Sequence, residues 1–273
     1  MIRVAESRAD LEFCAEICNS VEEEPVSVDM LRPGALVHEG GGYAWVVKSS
    51  VPGAAFAMVR VRPEARGCGV GSALLEAARE RARELGCGSM WGRVRDESSF
   101  AFVRRRGFEE IGQEINVLRE LEPGDGEIAP GIAELRREHL REAYDVAVEC
   151  VPEIHFPQVG EARPYEEWLE QEERHSPVAF VALDDGRVVG YARLYETGLP
   201  DRLSHGLTAV RRSHRRRGLA TALKRAQIAW GAEHGYRELV SDMVEGNAAM
   251  RAVNERLGYK PLPPVLIVSG SAG

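Results

Sequence analysis

Apolar residues along this chain follow two rhythms, and the order in which those rhythms alternate occurs twice. Leu74, Leu75, Ala78, Ala82 and Leu85 fall on one helical face, and Gly86 follows where a helix would stop. Leu219, Leu223, Ala226 and Trp230 repeat the stripe at i, i+4, i+7 and i+11, with Gly235 in the stopping position. Ahead of each helix the period shortens. PVAFVALDDGRVVGYARLYE (177–196) reads as two strands rich in β-branched and aromatic residues around an Asp-Asp-Gly-Arg turn, and LSHGLTAV (203–210) as a third strand. AAFAMVRV (54–61) is the third strand of the first half. After each helix comes a further strand, SMWGRVR or ELVSDMV, and then a helical stretch ending in Gly107-Phe108 or Gly258-Tyr259.

The spacing supports a true repeat. Twenty residues separate Arg66 from Gly86, and twenty separate Arg215 from Gly235. The step from Arg66 to Gly107 is 41 residues and that from Arg215 to Gly258 is 43, a difference one loop absorbs. Between the copies, Glu122-Pro-Gly-Asp-Gly-Glu is rich in turn formers and has no apolar period, so a boundary is expected near residue 125, dividing 1–124 from 125–273. Each half is expected to be α/β, with helices on a mixed, largely antiparallel sheet.

Composition narrows the function classes. With 273 residues, 44% hydrophobic and 29% charged, the chain is long enough for two cores. No apolar run approaches the ~18 residues needed to span a bilayer, and the N-terminus lacks a signal-peptide layout, so a cytoplasmic protein without a membrane partner is expected. Five cysteines, an odd number without CxxC pairs, suggest reduced thiols and no metal site. A net charge of -8 makes nucleic acid an unlikely partner. Only three of the 35 basic residues are lysine, which reads as genomic composition and discounts the arginine runs.

The candidate chemistry lies at two loops. Arg66, Gly67, Gly69 and Gly71 in the first copy, and Arg215, Arg216, Arg217, Gly218, Leu219 and Ala220 in the second, fit Arg/Gln-x-x-Gly-x-Gly/Ala between a strand and a helix. Small residues let the backbone approach a ligand, and the unpaired first N–H groups of the helix then face it, an arrangement suited to a pyrophosphate. Arg187-Val-Val-Gly-Tyr-Ala matches the same pattern but lies within a strand and opens no helix. A Rossmann site is disfavoured because Gly67-Cys-Gly-Val-Gly-Ser fails at the third glycine.

VRPEARGCGVGS (61–72), TAVRRSHRRRGLA (208–220) and NAAMRAVNERLGY (247–259) resemble the acetyl-CoA pyrophosphate loop and C-terminal Asn…Gly-aromatic helix of the GNAT (GCN5-related N-acetyltransferase) superfamily. The resemblance covers each half from its third strand to its end. It implies two tandem domains in which two strands splay apart to admit pantetheine, with acetyl-CoA as acyl donor. The activity implied is transfer of an acetyl group to a primary amine on a small molecule or peptide. A catalytically lapsed acyl-CoA-binding sensor or scaffold is the alternative.

Such a transfer needs a neutral amine, a stabilised oxyanion and a protonated thiol. An alkylamine has a pKa near ~10, so a base is required at neutral pH. The resemblance implies backbone N–H groups of Ala209 and Val210 for the oxyanion, and Asn247 as a cofactor contact that is also a natural helix N-cap. Asp242, five residues before Asn247, stands where ribosomal-protein acetyltransferases of this family keep a catalytic glutamate; it is equally a solvated strand-end carboxylate. Glu196 and His205 are the other candidate bases. Asn254 occupies the place of the tyrosine acid found in many relatives, and an amide can hydrogen-bond the thiol but not serve as its acid. Tyr191 and Tyr195 are alternative donors. In the first half, Trp91 takes the place of Asp242 and Val103 that of the tyrosine, so that half is expected to be non-catalytic.

Overall fold

The computed structural model of the chain describes residues 1–22, 25–28, 31, 34–153 and 162–273. Among them the elements run β1 (Ile2–Val4), α1 (Arg8–Asn19), β2 (Leu36–His38), β3 (Gly42–Lys48), β4 (Ala54–Val61), α2 (Val70–Glu84), β5 (Ser89–Val94), α3 (Glu97–Arg104) and β6 (Glu109–Glu120). They continue with β7 (Ile132–Glu134), α4 (Leu140–Cys150), α5 (Tyr165–His175), β8 (Val178–Asp184), β9 (Arg187–Glu196), β10 (Arg202–Val210), α6 (Leu219–Glu233), β11 (Glu238–Val244), α7 (Ala248–Arg256), β12 (Lys260–Pro261) and β13 (Val265–Ser271). The helical stripes and the hairpin fall where the apolar periods predict them. Asp185 and Gly186 turn the β8–β9 hairpin in the left-handed region, and Gly86 and Gly235 end α2 and α6 in the same conformation.

The elements form two compact units, Met1–Gln113 with Val265–Gly273, and Glu114–Pro264. The sheet of the first runs β1-β2-β3-β4-β5-β13; that of the second runs β6-β11-β10-β9-β8-β7, with β12 also on β6. The turn at 122–126, expected to separate the halves, lies inside the second unit. The division in space follows Gln113, and the last strand of the chain completes the first unit. Burial explains why β13 goes there: Val268 and Ala272 join the core of α2, and Gly270 lies so close to Phe108 that a Cβ would sit 2.8 Å from its ring.

In the first unit α2 buries Leu74, Leu75, Ala78 and Ala82 against Val46, Met90 and Phe108. The second unit buries both faces of its sheet. Phe180, Leu194, Leu203 and Leu239 face α6, while Val181, Tyr191 and Ala209 face α4 and α5 with Ala143, Val146 and Trp168. Coverage on both sides is why β8 and β9 read as nearly continuous apolar runs rather than clean alternation.

Each unit also contains one parallel strand pair joined by a crossover helix, β4-α2-β5 and β10-α6-β11. Both pairs hold together for three rungs only, Ala54↔Ser89 to Phe56↔Trp91 and Arg202↔Glu238 to Ser204↔Val240. Beyond them no further rung joins the strands.

Candidate active site

The opening in the second unit is widened by a bulge. Between His205 and Thr208 the register of β10 slips against β9, so β10 bends away from its partner. Gly206 sits within the bulge because nothing larger fits: a Cβ there would lie 2.7 Å from Arg193 Cγ and closer still to the ring of Tyr195. Ala209 and Val210 follow, in register with Tyr191 and Gly190 of β9, on the stretch of β10 that no rung joins to β11.

At the wide end of the opening β10 runs into the loop that opens α6. Arg216 has φ 60° and Gly218 φ 82°, two left-handed residues either side of Arg217, and Gly218 leaves the first turn of α6 without a side-chain cap. The N–H groups beginning at Leu219 and Ala220 thus face outward with the positive end of the helix dipole. Nothing lies within 4 Å of where a Cβ on Gly218 would be. The neighbouring arginines divide their roles. Arg215 Nε donates to the Val210 carbonyl at 3.0 Å and fastens the loop to its strand, while Arg217 pairs with Asp184 at 3.4 Å. A cavity of about 250 Å³ beside the loop is lined by Gly218, Thr221, Arg225 and Arg256, with Ala129, Ala222 and the carboxylate of Glu127 completing its wall.

The candidate acid–base residues separate onto two faces of the sheet. On the α4/α5 face, Asp242 is exposed two residues beyond the last rung, and Tyr195 feels its charge. Tyr195 is raised above the ordinary phenol range by burial, opposed by Arg193 and Arg163. Arg193 is 3% exposed, stacks on the Tyr195 ring at 3.6 Å and pairs with Glu172, and burial lowers it to about 10. Tyr191 donates to the other oxygen of Glu172 at 2.5 Å, so its hydroxyl is already committed. Glu196 ends β9 opposite Leu203, on the closed side of the last rung, and its charge is felt by Tyr236.

His205 points to the other face. It is 4% exposed, with Nδ1 2.9 Å from Gln227 Oε1 and Nε2 against the Tyr259 hydroxyl, and burial holds it well below the ordinary histidine range. Lys224 joins this cluster, donating to Ser241 Oγ at 3.1 Å. Asn254, on α7, is 1% exposed; its amide nitrogen lies 3.8 Å from Met243 Sδ and its oxygen has no partner among the described residues. Thr208 Oγ1 and Gln227 Nε2 are also buried without partners among the described residues. Asn247 caps α7, accepting from the N–H of Met250 at 3.0 Å.

The first unit keeps the loop and closes the opening. Gly67 and Gly69 have φ 79° and 85°, matching Arg216 and Gly218, α2 is likewise uncapped, and Arg66 Nε reaches the Val61 carbonyl at 3.4 Å; Gly71, in the first turn of the helix, lies beside Phe102. One residue past the last rung, however, a Cβ on Gly92 would lie 2.8 Å from the Ala57 carbonyl, and the rung itself carries Phe56 and Trp91 with ring centres 4.5 Å apart. Counting from the helix-ending glycines, Gly86 and Gly235, the residue in the place of Asp242 is Arg93, not Trp91, which aligns with Val240. That position holds a cation in the first unit where the second has a carboxylate.

The sequence profile of the acetyltransferase (GNAT) family matches residues 35–108 and 140–259. The chain belongs to this family. No curated protein gives a significant match. Among solved structures, a tandem GNAT protein from the clavulanic acid biosynthesis pathway aligns with TM-score 0.79 at 20% identity, covering 100% of this chain and 99% of its own. A GCN5-related N-acetyltransferase from Sphaerobacter thermophilus aligns at 0.77 and 20%, with 100% and 95% covered, and a putative acetyltransferase from Pyrococcus horikoshii at 0.66 and 10%, with 99% and 89% covered. At such identities the likeness is one of fold. The tandem GNAT arrangement is thereby established, and with it the class of acyl-CoA-dependent N-acyltransferases. No helix among the described residues is long and apolar enough to cross a membrane. The buried cluster around Lys224 escapes a motif search; its one signal in the sequence is a lysine and a glutamine beside the α6 stripe where the first copy has Leu75 and Ala78.

Proposed function

We propose that the second unit of this GNAT protein transfers an acetyl group from acetyl-CoA to a primary amine. One observation carries the proposal: the β10/β11 opening joins an uncapped helix N-terminus at its wide end to an exposed carboxylate near its closed end. The N–H groups after Gly218 suit the pyrophosphate, and Arg225 and Arg256 along the adjoining cavity supply charge for a further phosphate. Partnerless polar atoms of Thr208 and Asn254 leave hydrogen-bonding capacity for an amide-bearing arm or a thioester. Asp242 takes the proton of the attacking amine, directly or through water, and the oxyanion is received by the N–H of Val210, which turns away from β9 because the neighbouring Arg211 N–H donates to the Val189 carbonyl, while that of Ala209 turns toward β9. The acceptor meets Asp242 from the α4/α5 face, beside Tyr195.

Asn254, which cannot act as an acid, favours a second reading in which the unit binds acyl-CoA without turnover. Two measurements decide. Saturating acetyl-CoA is expected to raise the melting temperature, by mass action, and Gly218→Glu to remove most of that gain. An unchanged melting temperature overturns the donor assignment. Release of free thiol when amines are added separates transfer from binding alone.

A further inference from the structure

The chain uses arginine for 32 of its 35 basic residues. Of its three lysines, Lys48 and Lys260 are exposed, whereas Lys224 is 1% exposed inside the second unit. Burying an ammonium is costly unless a carboxylate joins it. Among the described residues none forms an ion pair with Lys224; its Nζ donates to Ser241 Oγ at 3.1 Å and lies 5.2 Å from the centre of the Tyr259 ring. The surroundings are built for it. His205 from β10, Gln227 from α6, Ser241 from β11 and Tyr259 after α7 make the cluster, where the first unit has Ala57, Ala78, Gly92 and Phe108, with Leu75 in place of Lys224. The same fold thus packs well with apolar groups alone at these positions.

Lys224 also lies where a leaving group would be. Ser241 is the first residue past the last rung, Ser204↔Val240, so the ammonium sits at the closed end of the opening. From there to Val210, beside the phosphate loop, β10 spans roughly 20 Å at ~3.3 Å per residue, comparable with an extended pantetheine arm. A donor anchored by its phosphates at Gly218 therefore brings its sulfur toward Lys224.

We propose that Lys224 is the acid that protonates the departing thiolate, an inference that rests on the acyltransferase reading above. The amine nitrogen bonds to the thioester carbonyl carbon, the carbon–sulfur bond breaks with its electron pair on sulfur, and Lys224 gives that sulfur a proton. The proton taken from the amine by Asp242 then returns to Lys224, so no co-reactant is consumed. Arginine could not do this, because it keeps its proton at any working pH. Burial lowers Lys224 to about 7, opposed by the charge of Asp242. That is below the ~8.5 of an ordinary thiol, so the transfer runs downhill. Of the titratable groups facing it, His205 is held neutral by burial and by Lys224 itself, and Tyr259 is raised by burial. Asp242, across β11, is the remaining one.

The test uses acetyl-CoA with hydroxylamine, an amine already neutral at pH 7, so that its deprotonation does not limit the rate, and reads thiol release. Lys224→Met is expected to lower kcat by ~10²-fold, keep the Kd for acetyl-CoA within about twofold, and raise the melting temperature because an unpaired charge leaves the interior. Wild-type kcat should fall as pH rises above neutrality and the variant's should not. A variant that keeps wild-type kcat, or loses it in step with donor affinity or melting temperature, overturns the role of Lys224 and leaves the acyltransferase reading standing. Wild-type protein that binds acetyl-CoA yet releases no thiol overturns both.

Discussion

Ser241 and Asp242 are adjacent on β11 and turn to opposite faces of one strand, Ser241 buried against Lys224 and Asp242 exposed beside Tyr195. A one-residue alternation thus separates the acceptor's base from the proposed acid of the leaving group. If Asp242 takes the amine's proton, Asp242→Asn should lower kcat/KM by ~10²-fold at neutral pH with donor affinity intact, and the deficit should shrink as pH approaches the amine's own ~10. Steady-state rates across pH check this; a deficit of constant size would move the role to another group. Lys224 makes a separate prediction about stability. Its pKa in the fold, about 7, lies below the 10.5 of the unfolded chain, so between those values the unfolded state holds a proton the native state lacks. Stability therefore rises with pH across that window, and the destabilisation is complete below about 7. The advantage of Lys224→Met over wild type should be on the order of 1–3 kcal/mol near neutrality and close toward pH ~10. Denaturant melts at several pH values measure it, and a gap independent of pH would contradict it.

Among the elements, the β10 bulge gives the second unit its open site, and it depends on Gly206. Gly206→Ala drives a methyl into Tyr195 and Arg193, so it should cost roughly 1–3 kcal/mol and reduce kcat more than acetyl-CoA affinity, since the displaced groups line the acceptor face. Denaturant melts beside donor binding read both halves of that claim, and a drop confined to donor affinity would disprove it. The elements themselves are largely legible in the sequence because their signals are local: the Leu219 to Trp230 stripe, the Asp185-Gly186 turn, the glycines at 69 and 218. The bulge is not legible, because what forbids a side chain at Gly206 comes from β9. The misplacement of Trp91 has a similar cause. Counting back from the helix N-caps, Asp96 and Asn247, crosses the loop where the copies differ by two residues, whereas counting forward from Gly86 and Gly235 does not. His205 reads as an available base in sequence, and only the packing of α6 and Tyr259 against it removes it from solvent.

For the molecule as a whole, the repeat is plain in the sequence but the membership of its last strand is not. VLIVSGS follows the second copy directly, and only its burial against Phe108 and α2 assigns it to the first unit. What the repeat does predict is a matched experiment. Gly69 and Gly218 have nearly equal φ, 85° and 82°, each begins an uncapped helix, and neither has an atom within 4 Å of a would-be Cβ. Glutamate at either position costs similar backbone strain, about 1 kcal/mol, and sets the same negative charge against the phosphate site. The consequences should nevertheless differ, because the first unit carries the Phe56–Trp91 rings on its last rung and the Ala57–Gly92 contact just past it, where the second has Ser204 and Val240 and then His205 and Ser241, which holds Lys224. Gly218→Glu should abolish turnover, and Gly69→Glu should leave most of it. Calorimetric titration with acetyl-CoA tells whether the first loop binds donor at all, since a bound equivalent lost from Gly69→Glu without loss of rate would mark a site that binds and does not react. Equal loss of turnover from both substitutions would mean that the first unit takes part in the chemistry despite its closed strands, and the division of labour drawn from those contacts would fail.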